Sequence, residues 1–445
     1  MVEVPEDAIA ITLTLEDAPV DLDLYARFGE AMEDYTQADH SATSIYFNDM
    51  LRISRYDYPA LESGRYYIDV AYPFPEEEPI VGKQRLETIP FSLTASLIRS
   101  RVDATLDPDQ RYAAVTNQED GFFRTFVVNV PPEASTLRID LDEVNSDMDL
   151  YARFNAQIVS IEDADHEALS ILGRETLIID QDSQPPLQSG PWYINVFDPF
   201  QLGPVPFAVY ASFSADPPQA LLNIPALEIA TDPQELAVQA NVQISLPDGS
   251  GSGTLVSPDG LILTNYHVVE TAAGAVAEGD DLVISLTMDP RKPPLELFRA
   301  QVVAADESLD LALVEITSGL YRQPLPENYP LPYLQLGDAE ALTIGSPITI
   351  LGFPAAGGTG SRTSVTLTRG VISGFDTADI GSVIKTDADI SSGNSGGAAL
   401  DGSFRLVGVP TFVVPEYDGN AQIGYIHPIS LLPAEWTQMI AERQE

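Results

Sequence analysis

A serine, a histidine and an aspartate stand in this sequence in settings that suit nucleophilic catalysis. Ser395 lies in the glycine-rich stretch from Gly393 to Gly397, where backbone N–H groups can point at a developing oxyanion. His267 closes an alternating apolar run, and Asp310 opens a second one. A serine hydroxyl is a weak nucleophile until a base removes its proton. The three residues therefore predict a triad in which His267 activates Ser395 and Asp310 orients the imidazole.

The order of the three residues along the chain separates two folds that use such a triad. The stretch around Ser395 also fits the G-x-S-x-G turn of α/β-hydrolases, in which the acid and then the histidine follow the serine. His427 is the only histidine after Ser395, and the sequence before the serine shows no alternation of strands and helices. The order His267, Asp310, Ser395 instead favours a chymotrypsin-type double barrel. We expect an oxyanion hole built from the N–H groups of Gly393 and Ser395, and a structural role for His427.

Four stretches resemble the HtrA/Do-like trypsin-type serine proteases: GSGTLVSPDGLILTNYHVV at 251–269, DESLDLALVEI at 306–316, TRGVISGF at 368–375 and KTDADISSGNSGGAAL at 385–400. The resemblance covers roughly residues 236–435. It implies a serine endopeptidase that hydrolyses protein or peptide substrates through a covalent acyl-enzyme, with His267, Asp310 and Ser395 as its catalytic residues. Most members of that family end in PDZ domains, and we expect none in this chain.

Two residues near Ser395 bear on specificity and on activation. Asp389 lies six residues before Ser395, where trypsin-like enzymes that cleave after Arg or Lys carry the aspartate of the pocket floor. A carboxylate there would favour a basic P1 side chain, whereas the resembling family prefers small aliphatic P1 residues, and both alternatives stay open. Trypsin-like zymogens often mature when a new N-terminal ammonium pairs with an aspartate just before the serine. Asn394 occupies that position, so we expect no such activation and no need to remove residues 1–235.

The front half of the chain repeats itself. DLDLYARF at 21–28 returns as DMDLYARF at 147–154, and SGRYYIDV at 63–70 returns as SGPWYINV at 189–196. Most of these stretches alternate apolar and polar residues, which is the period of a strand, so each repeat predicts a small antiparallel β-sandwich. The repeats resemble the bacterial pre-peptidase C-terminal domain. We predict an all-β chain of two tandem antiparallel β-sandwich repeats followed by a chymotrypsin-like double β-barrel: repeats at 1–100 and 101–215, a linker at 216–235 and a protease domain at 236–445.

The two repeats differ at their beginnings. Residues 2–5 of the first repeat match residues 128–131 of the second, but the strand residues just before position 128 have no counterpart in the first repeat. We therefore expect the first repeat to lack its first strand, as in a shortened or processed form of the protein.

The composition is very acidic, with 67 Asp and Glu against 22 Lys and Arg and a formal net charge of −45. Nucleic-acid binding is disfavoured, because phosphates need a basic face. The acidity is typical of proteins from salty surroundings, and a merely acidic secreted protein is the alternative. No apolar run approaches the roughly 18 residues of a membrane span, and there is no cysteine to form a disulfide. We expect a secreted or periplasmic protein.

No cofactor is expected, and a metalloprotease is disfavoured because the sequence has no H-E-x-x-H motif. Calcium bound by carboxylate oxygens in the repeats is an alternative, with Asp21 and Asp23, and Asp147 and Asp149, as the candidate ligands. The competing function is an inert protease-like protein whose β-sandwich repeats act as binding or adhesion modules.

Overall fold

The computed structural model describes most of the chain: residues 1–44, 49–74, 80–81, 84–85, 88–116, 123–144, 146–169, 173–199, 204–246, 249–271, 276–277, 279, 282–354, 364–378, 381–391, 393–415 and 422–444. Within these ranges strands dominate, and α-helix occurs only at α1 (Pro233–Ala240) and α2 (Ala434–Gln444). The prediction of an all-β chain is therefore confirmed.

The first part of the chain forms two facing sheets. Its strands are β1 (Val2–Val4), β2 (Ala8–Glu16), β3 (Asp23–Phe28), β4 (His40–Ala42), β5 (Met50–Ser54), β6 (Gly64–Ala71), β7 (Ile80–Val81), β8 (Gln84–Arg85) and β9 (Ser92–Arg99). One sheet has the order β1-β6-β3-β4 and the other β5-β2-β9, with β7 and β8 as a separate ribbon. Tyr66 of β6 is almost fully buried between the sheets.

The next part repeats this arrangement with more strands. They are β10 (Ala104–Thr105), β11 (Tyr112–Thr116), β12 (Phe123–Val130), β13 (Thr136–Asp142), β14 (Asp149–Phe154), β15 (His166–Ala168), β16 (Glu175–Asp180), β17 (Gly190–Phe197) and β18 (Val205–Ser212). The sheets have the orders β10-β12-β17-β14-β15 and β11-β18-β13-β16. Trp192 takes the buried place of Tyr66, and its Nε1 donates to the carbonyl oxygen of Gln188 at 2.9 Å. The matching strands thus follow the matching sequence.

Differences between the two units lie at the first strand of each. Strand β12 pairs with β17 over eight residues, from Phe123 to Val130. In the first unit, β1 pairs with β6 only at Val2–Val4, which are the residues that match the end of β12.

The segment between the second sandwich and the barrels packs against both. Leu221 is buried with Ala208 and Tyr210 of β18 and contacts Tyr321, while Ile224 and Leu227 pack on the core that follows. Helix α1 then begins at Pro233, because the Asp232 side chain accepts hydrogen bonds from the N–H groups of residues 234 and 235, both at 3.0 Å.

The remaining strands close into two six-stranded barrels. The first contains β19 (Asn241–Leu246), β20 (Gly249–Leu255), β21 (Leu261–Thr264), β22 (Leu282–Leu286), β23 (Leu295–Asp306) and β24 (Leu311–Gly319), in the order β19-β20-β21-β24-β23-β22. The second contains β25 (Pro347–Gly352), β26 (Thr366–Ala378), β27 (Gly381–Thr386), β28 (Ala398–Leu400), β29 (Leu406–Pro415) and β30 (Gln422–Pro428), in the order β25-β26-β27-β30-β29-β28. The predicted chymotrypsin-like double barrel is therefore confirmed.

Small residues allow the first barrel to close tightly. A Cβ on Gly253 would lie 2.6 Å from Ile262 Cγ2, and one on Gly251 would lie 2.7 Å from Val268 Cγ2. At these positions of β20 only glycine lets the neighbouring side chains fill the core. Helix α2 returns to this barrel and buries Trp436 and Ile440 in the same core.

Candidate active site

His267 and Asp310 are brought together by two neighbouring strands of the first barrel. Strand β21 pairs with β24 with Thr264 opposite Ala312. The chain leaves β21 into a 3₁₀ turn, Tyr266–Val268, and enters β24 directly after Asp310. His267 Nδ1 lies 2.9 Å from Asp310 Oδ1 and 3.0 Å from Oδ2. The carboxylate can therefore hold the imidazole in the tautomer that carries its proton on Nδ1.

The backbone around Asp310 is held in an unusual conformation that aims its carboxylate. Asp310 has φ of +50°, a left-handed value that is uncommon for residues with a side chain. Its carbonyl oxygen accepts from Asn265 Nδ2 at 2.7 Å, and its Oδ1 also accepts from the backbone N–H of His267 at 3.1 Å. The turn before β24 is thereby fastened to the turn after β21.

The second barrel supplies a further donor to this carboxylate. Thr411 Oγ1, from β29, donates to Asp310 Oδ2 at 2.7 Å. Burial alone raises the pKa of Asp310, but the hydrogen bonds from His267 and Thr411, with His427 nearby, outweigh it and hold the pKa well below the ordinary value of 3.8. Asp310 is therefore expected to be ionised at neutral pH.

Ser395 lies in a tight turn between β27 and β28 that requires glycine on both sides. Gly393 has φ of +96° and Gly396 has φ of +83°. A Cβ on Gly396 would lie 2.1 Å from the carbonyl oxygen of Ser252, so no other residue fits there. The backbone of this turn thus explains the glycines that surround Ser395 in the sequence.

Ser252 of the first barrel anchors the turn. Its Oγ donates to the carbonyl oxygen of Gly393 at 2.6 Å, and its backbone N–H donates to that of Ser395 at 2.9 Å. Thr264 Oγ1 donates to the carbonyl oxygen of Ser252 at 2.7 Å. The strands that carry His267 and the turn that carries Ser395 are therefore connected by direct hydrogen bonds.

The Ser395 hydroxyl does not bond to His267 in this structure. Its Oγ donates to the carbonyl oxygen of Thr411 at 2.9 Å. Ser395 and His267 nevertheless line one cavity of about 370 Å³, together with Gly393. In structures without substrate, catalytic hydrogen bonds are often long or misaligned and tighten only when substrate binds.

The backbone around Ser395 offers a donor for an oxyanion. Among the described residues, the N–H of Ser395 has no hydrogen-bond acceptor, while the N–H of Asn394 donates to Ser391 and that of Gly397 to Asn394. The side chain of Asn394 is almost fully buried and carries no charge.

Asp389 stands apart from this cavity. Its side chain is exposed, and its carbonyl oxygen accepts from Thr368 Oγ1 at 2.8 Å. Asp389 does not line the cavity of His267 and Ser395. Its role in P1 preference stays a prediction.

The aspartates considered for calcium occupy matching places in the two sandwiches. Asp23 begins β3 and accepts from the Tyr25 hydroxyl at 2.9 Å, and Asp149 begins β14 and accepts from the Tyr151 hydroxyl at 3.2 Å. Within the residues that the structure covers, no three acidic or histidine side chains are grouped to hold a metal ion. Calcium binding in the repeats stays a prediction.

Four residues of the site escaped the sequence reasoning: Ser252, Asn265, Thr411 and His427 as a neighbour of Asp310. Ser252 stands in the GSG that precedes the histidine strand, and Asn265 stands two residues before His267. Both residues lie in the stretch at 251–269 that also contains His267, and this was a usable signal. Thr411 and His427 lie far from Asp310 in sequence, so no local pattern points to them.

Part of this chain is similar to known proteases. Residues 251–409 match the family described as "Trypsin-like peptidase domain". The probable periplasmic serine endoprotease DegP-like of Chlamydia pneumoniae is 34% identical over 200 residues, which is 44% of this chain and 35% of that protein. The periplasmic serine endoprotease DegP of Escherichia coli (strain K12) is 30% identical over 197 residues, 43% of this chain and 35% of that protein.

A solved structure titled "HtrA-type protease AlgW with tripeptide" is 28% identical, covers 48% of this chain and 64% of that chain, and has a TM-score of 0.37. The present chain spans only about a third of the length of the two DegP relatives. No helix within the described ranges is long and apolar enough to cross a membrane. The second half of the chain thus forms two closed barrels, and residues 251–409 within it are similar to trypsin-like peptidase domains and to the DegP serine endoproteases.

Proposed function

We propose that the protein is a serine endopeptidase in which Ser395, His267 and Asp310 form the catalytic triad. The observation that carries the proposal is the His267 Nδ1–Asp310 pair at 2.9 Å, on the rim of a cavity that Ser395 also lines. A triad depends on this pair, because the carboxylate keeps the imidazole proton on Nδ1 and so leaves Nε2 free to act as a base.

The reaction follows from these groups. Ser395 Oγ attacks the peptide carbonyl carbon while His267 Nε2 takes its proton, and the negative oxygen is stabilised by the N–H groups of Gly393 and Ser395. His267 then gives the proton to the leaving amine as the C–N bond breaks, which leaves an acyl-enzyme. A water, deprotonated by His267, hydrolyses the ester and regenerates the serine. Throughout, Asp310 balances the positive charge of the imidazolium.

Substitution of the nucleophile is the direct test. Ser395→Ala should abolish hydrolysis of a protein substrate, because a triad without its nucleophile loses several orders of magnitude in rate. The fold should be kept, so the thermal transition of the variant should match that of the wild type. Hydrolysis at the wild-type rate in Ser395→Ala would refute the assignment of the nucleophile.

A second candidate is an inert protease-like protein whose sandwiches bind a partner. The hydrogen bond from the Ser395 hydroxyl to Thr411, rather than to His267, favours this alternative. A fluorophosphonate probe separates the two, since only an activated serine is labelled. Labelling of the wild type and not of Ser395→Ala supports the enzyme, and no labelling of either supports the inert protein.

Peptide and protein substrates of a secreted or periplasmic enzyme are the expected partners, in keeping with the periplasmic DegP relatives.

At P1, a carboxylate from Asp389 would favour Arg, and a pocket without it would favour Val. We expect a Val peptide to be cleaved faster than an Arg peptide, because Asp389 is exposed. Paired chromogenic peptides measured on wild type and Asp389→Ala decide this. Faster cleavage of the Arg peptide that is lost in Asp389→Ala would instead establish an acidic pocket.

A further inference from the structure

His427 is a histidine buried in the second barrel without a hydrogen bond. It lies on β30 opposite Val409 of β29, and its side chain is 0% exposed. Neither ring nitrogen has a hydrogen-bond partner among the described residues. A buried polar group without a partner destabilises the fold. Packing alone would be served better by an apolar side chain, so this histidine needs another explanation.

The ring faces the triad carboxylate. His427 Nε2 lies 3.7 Å from Asp310 Oδ2. The same oxygen accepts from Thr411 Oγ1 at 2.7 Å and lies 3.0 Å from His267 Nδ1. The carboxylate therefore lies between two imidazoles, one with a 45% exposed side chain at the cavity and one fully enclosed.

The separation decides what kind of interaction this is. At 3.7 Å the pair is longer than an N–H···O hydrogen bond of about 2.7–3.2 Å. In a buried, weakly polarisable setting, however, an N–H dipole still acts strongly on a negative charge at this range. A shift of about half an ångström would make it a hydrogen bond.

We propose that His427 is a positioning residue that acts through Asp310 and holds the carboxylate in place behind His267. The inference rests on the proposed function of the triad. During acyl transfer the His267 imidazolium pulls on the carboxylate from the cavity side. An Nε2–H on His427, together with the Thr411 hydroxyl, opposes that pull from the second barrel and keeps Asp310 in the orientation that His267 needs.

The test compares three substitutions of His427 with wild type. Phe removes both nitrogens but fills the space, Gln places an amide N–H near the position of Nε2, and Asn is too short to reach it. His40→Phe, in the first sandwich, serves as the matched control. We measure kcat and KM on one peptide substrate, together with the low-field proton resonance of the His267–Asp310 hydrogen bond.

We expect His427→Phe to lower kcat about tenfold with KM unchanged, and to move or broaden the low-field resonance. His427→Gln should restore most of kcat and the resonance, whereas His40→Phe should leave both as in wild type. Should His427→Phe not fold, the comparison of Gln with Asn decides, since only Gln should then approach wild-type kcat.

A purely structural role predicts a different pattern. Under it, folded His427→Phe would keep wild-type kcat and resonance, or Gln and Asn would be equally active, and either result would overturn the proposal. Failure of the proposed function is distinguishable, since wild-type hydrolysis would then persist in Ser395→Ala or be missing altogether.

Discussion

At the residue scale, Asp310 is the side chain on which both barrels converge. It accepts hydrogen bonds from His267 of the first barrel and from Thr411 of the second, and its own carbonyl is held by Asn265. Its left-handed backbone conformation is uncommon for a residue with a side chain, and strain of this kind tends to gather at functional sites. The geometry of the acid therefore depends on several elements at once.

Asp310→Asn tests this residue by activity and by pH. We expect kcat to fall by roughly 10⁴-fold, because the amide stabilises the wrong imidazole tautomer. The wild-type pKa of Asp310 is depressed, so its contribution to the free energy of unfolding is present above the ordinary pKa of 3.8 and is lost as pH falls below it. Asp310→Asn has no such contribution, so its free energy of unfolding should fall less steeply as pH decreases through this acid range.

The measurements are steady-state hydrolysis and urea unfolding over a series of acid pH values. Asp216→Asn, at an exposed position of the linker, is the control and should match wild type in both. An unaltered acid slope in Asp310→Asn would contradict the assigned hydrogen bonds.

At the scale of elements, β20 connects the two halves of the site. Ser252 on this strand is fully buried, with its Oγ between the carbonyl oxygen of Gly393 and the N–H of Phe353. Both partners belong to the second-barrel part of the chain. The turn that carries Ser395 is thus positioned by a strand that carries none of the three proposed catalytic side chains.

Ser252→Ala should therefore impair catalysis without touching the triad. Two buried backbone groups lose their partner, at a cost of roughly 1–3 kcal/mol each in the free energy of unfolding. We expect kcat to fall by about tenfold or more as the turn loosens, since loss of one oxyanion donor costs roughly 10²- to 10³-fold. Ser382→Ala, exposed on β27, is the control. Wild-type kcat in Ser252→Ala, measured beside its thermal transition, would show that the turn does not need this anchor.

Elements of the second sandwich also contact the first barrel directly. Glu296 of β23 is buried and accepts from the backbone N–H groups of Gly173 at 2.9 Å and Arg174 at 3.1 Å. Nearby, the Arg138 guanidinium lies 5.9 Å from the ring centre of Tyr321. A buried carboxylate with two amide donors is well compensated, so these contacts favour a fixed junction between the two units.

At the scale of the whole molecule, the net charge of −45 is the dominant feature. Like charges on one surface repel and destabilise the compact state, and added salt screens them. Buried pairs such as Arg138–Asp140, at 2.7 Å, are screened far less. Salt should thus weaken the repulsion and leave the internal ion pairs largely unchanged.

We expect the melting temperature and the hydrolysis rate to rise from low ionic strength to molar sodium chloride. The screening length shortens from roughly 10 Å at 0.1 M to 3 Å at 1 M, so most of the gain in stability should come early in the titration. Sodium chloride is preferred to a sulfate, which strengthens apolar burial in any protein. Calorimetry measures the melting temperature over this range of sodium chloride concentration. An uncharged osmolyte, which does not screen charges, serves as the comparison. A flat or falling curve would exclude adaptation to salt.

The sequence by itself determined the parts of this protein that depend on local pattern. Alternating apolar residues predicted the strands, the repeated motifs predicted two similar sandwiches, and the residues around His267, Asp310 and Ser395 predicted a double barrel with its site. These signals are local, because strand alternation and a glycine-rich turn are properties of a few consecutive residues.

Only the tertiary structure decided which distant groups meet. Strands far apart in the chain must be placed against one another to bring together Ser252 and the turn of Ser395, Thr411 and His427 around Asp310, and Glu296 and the second sandwich. The direction of the Ser395 hydroxyl, toward Thr411 rather than His267, is likewise a rotamer chosen by its surroundings. Such contacts leave no periodic trace in the sequence, because each partner is a single residue whose neighbours follow the ordinary pattern of a strand.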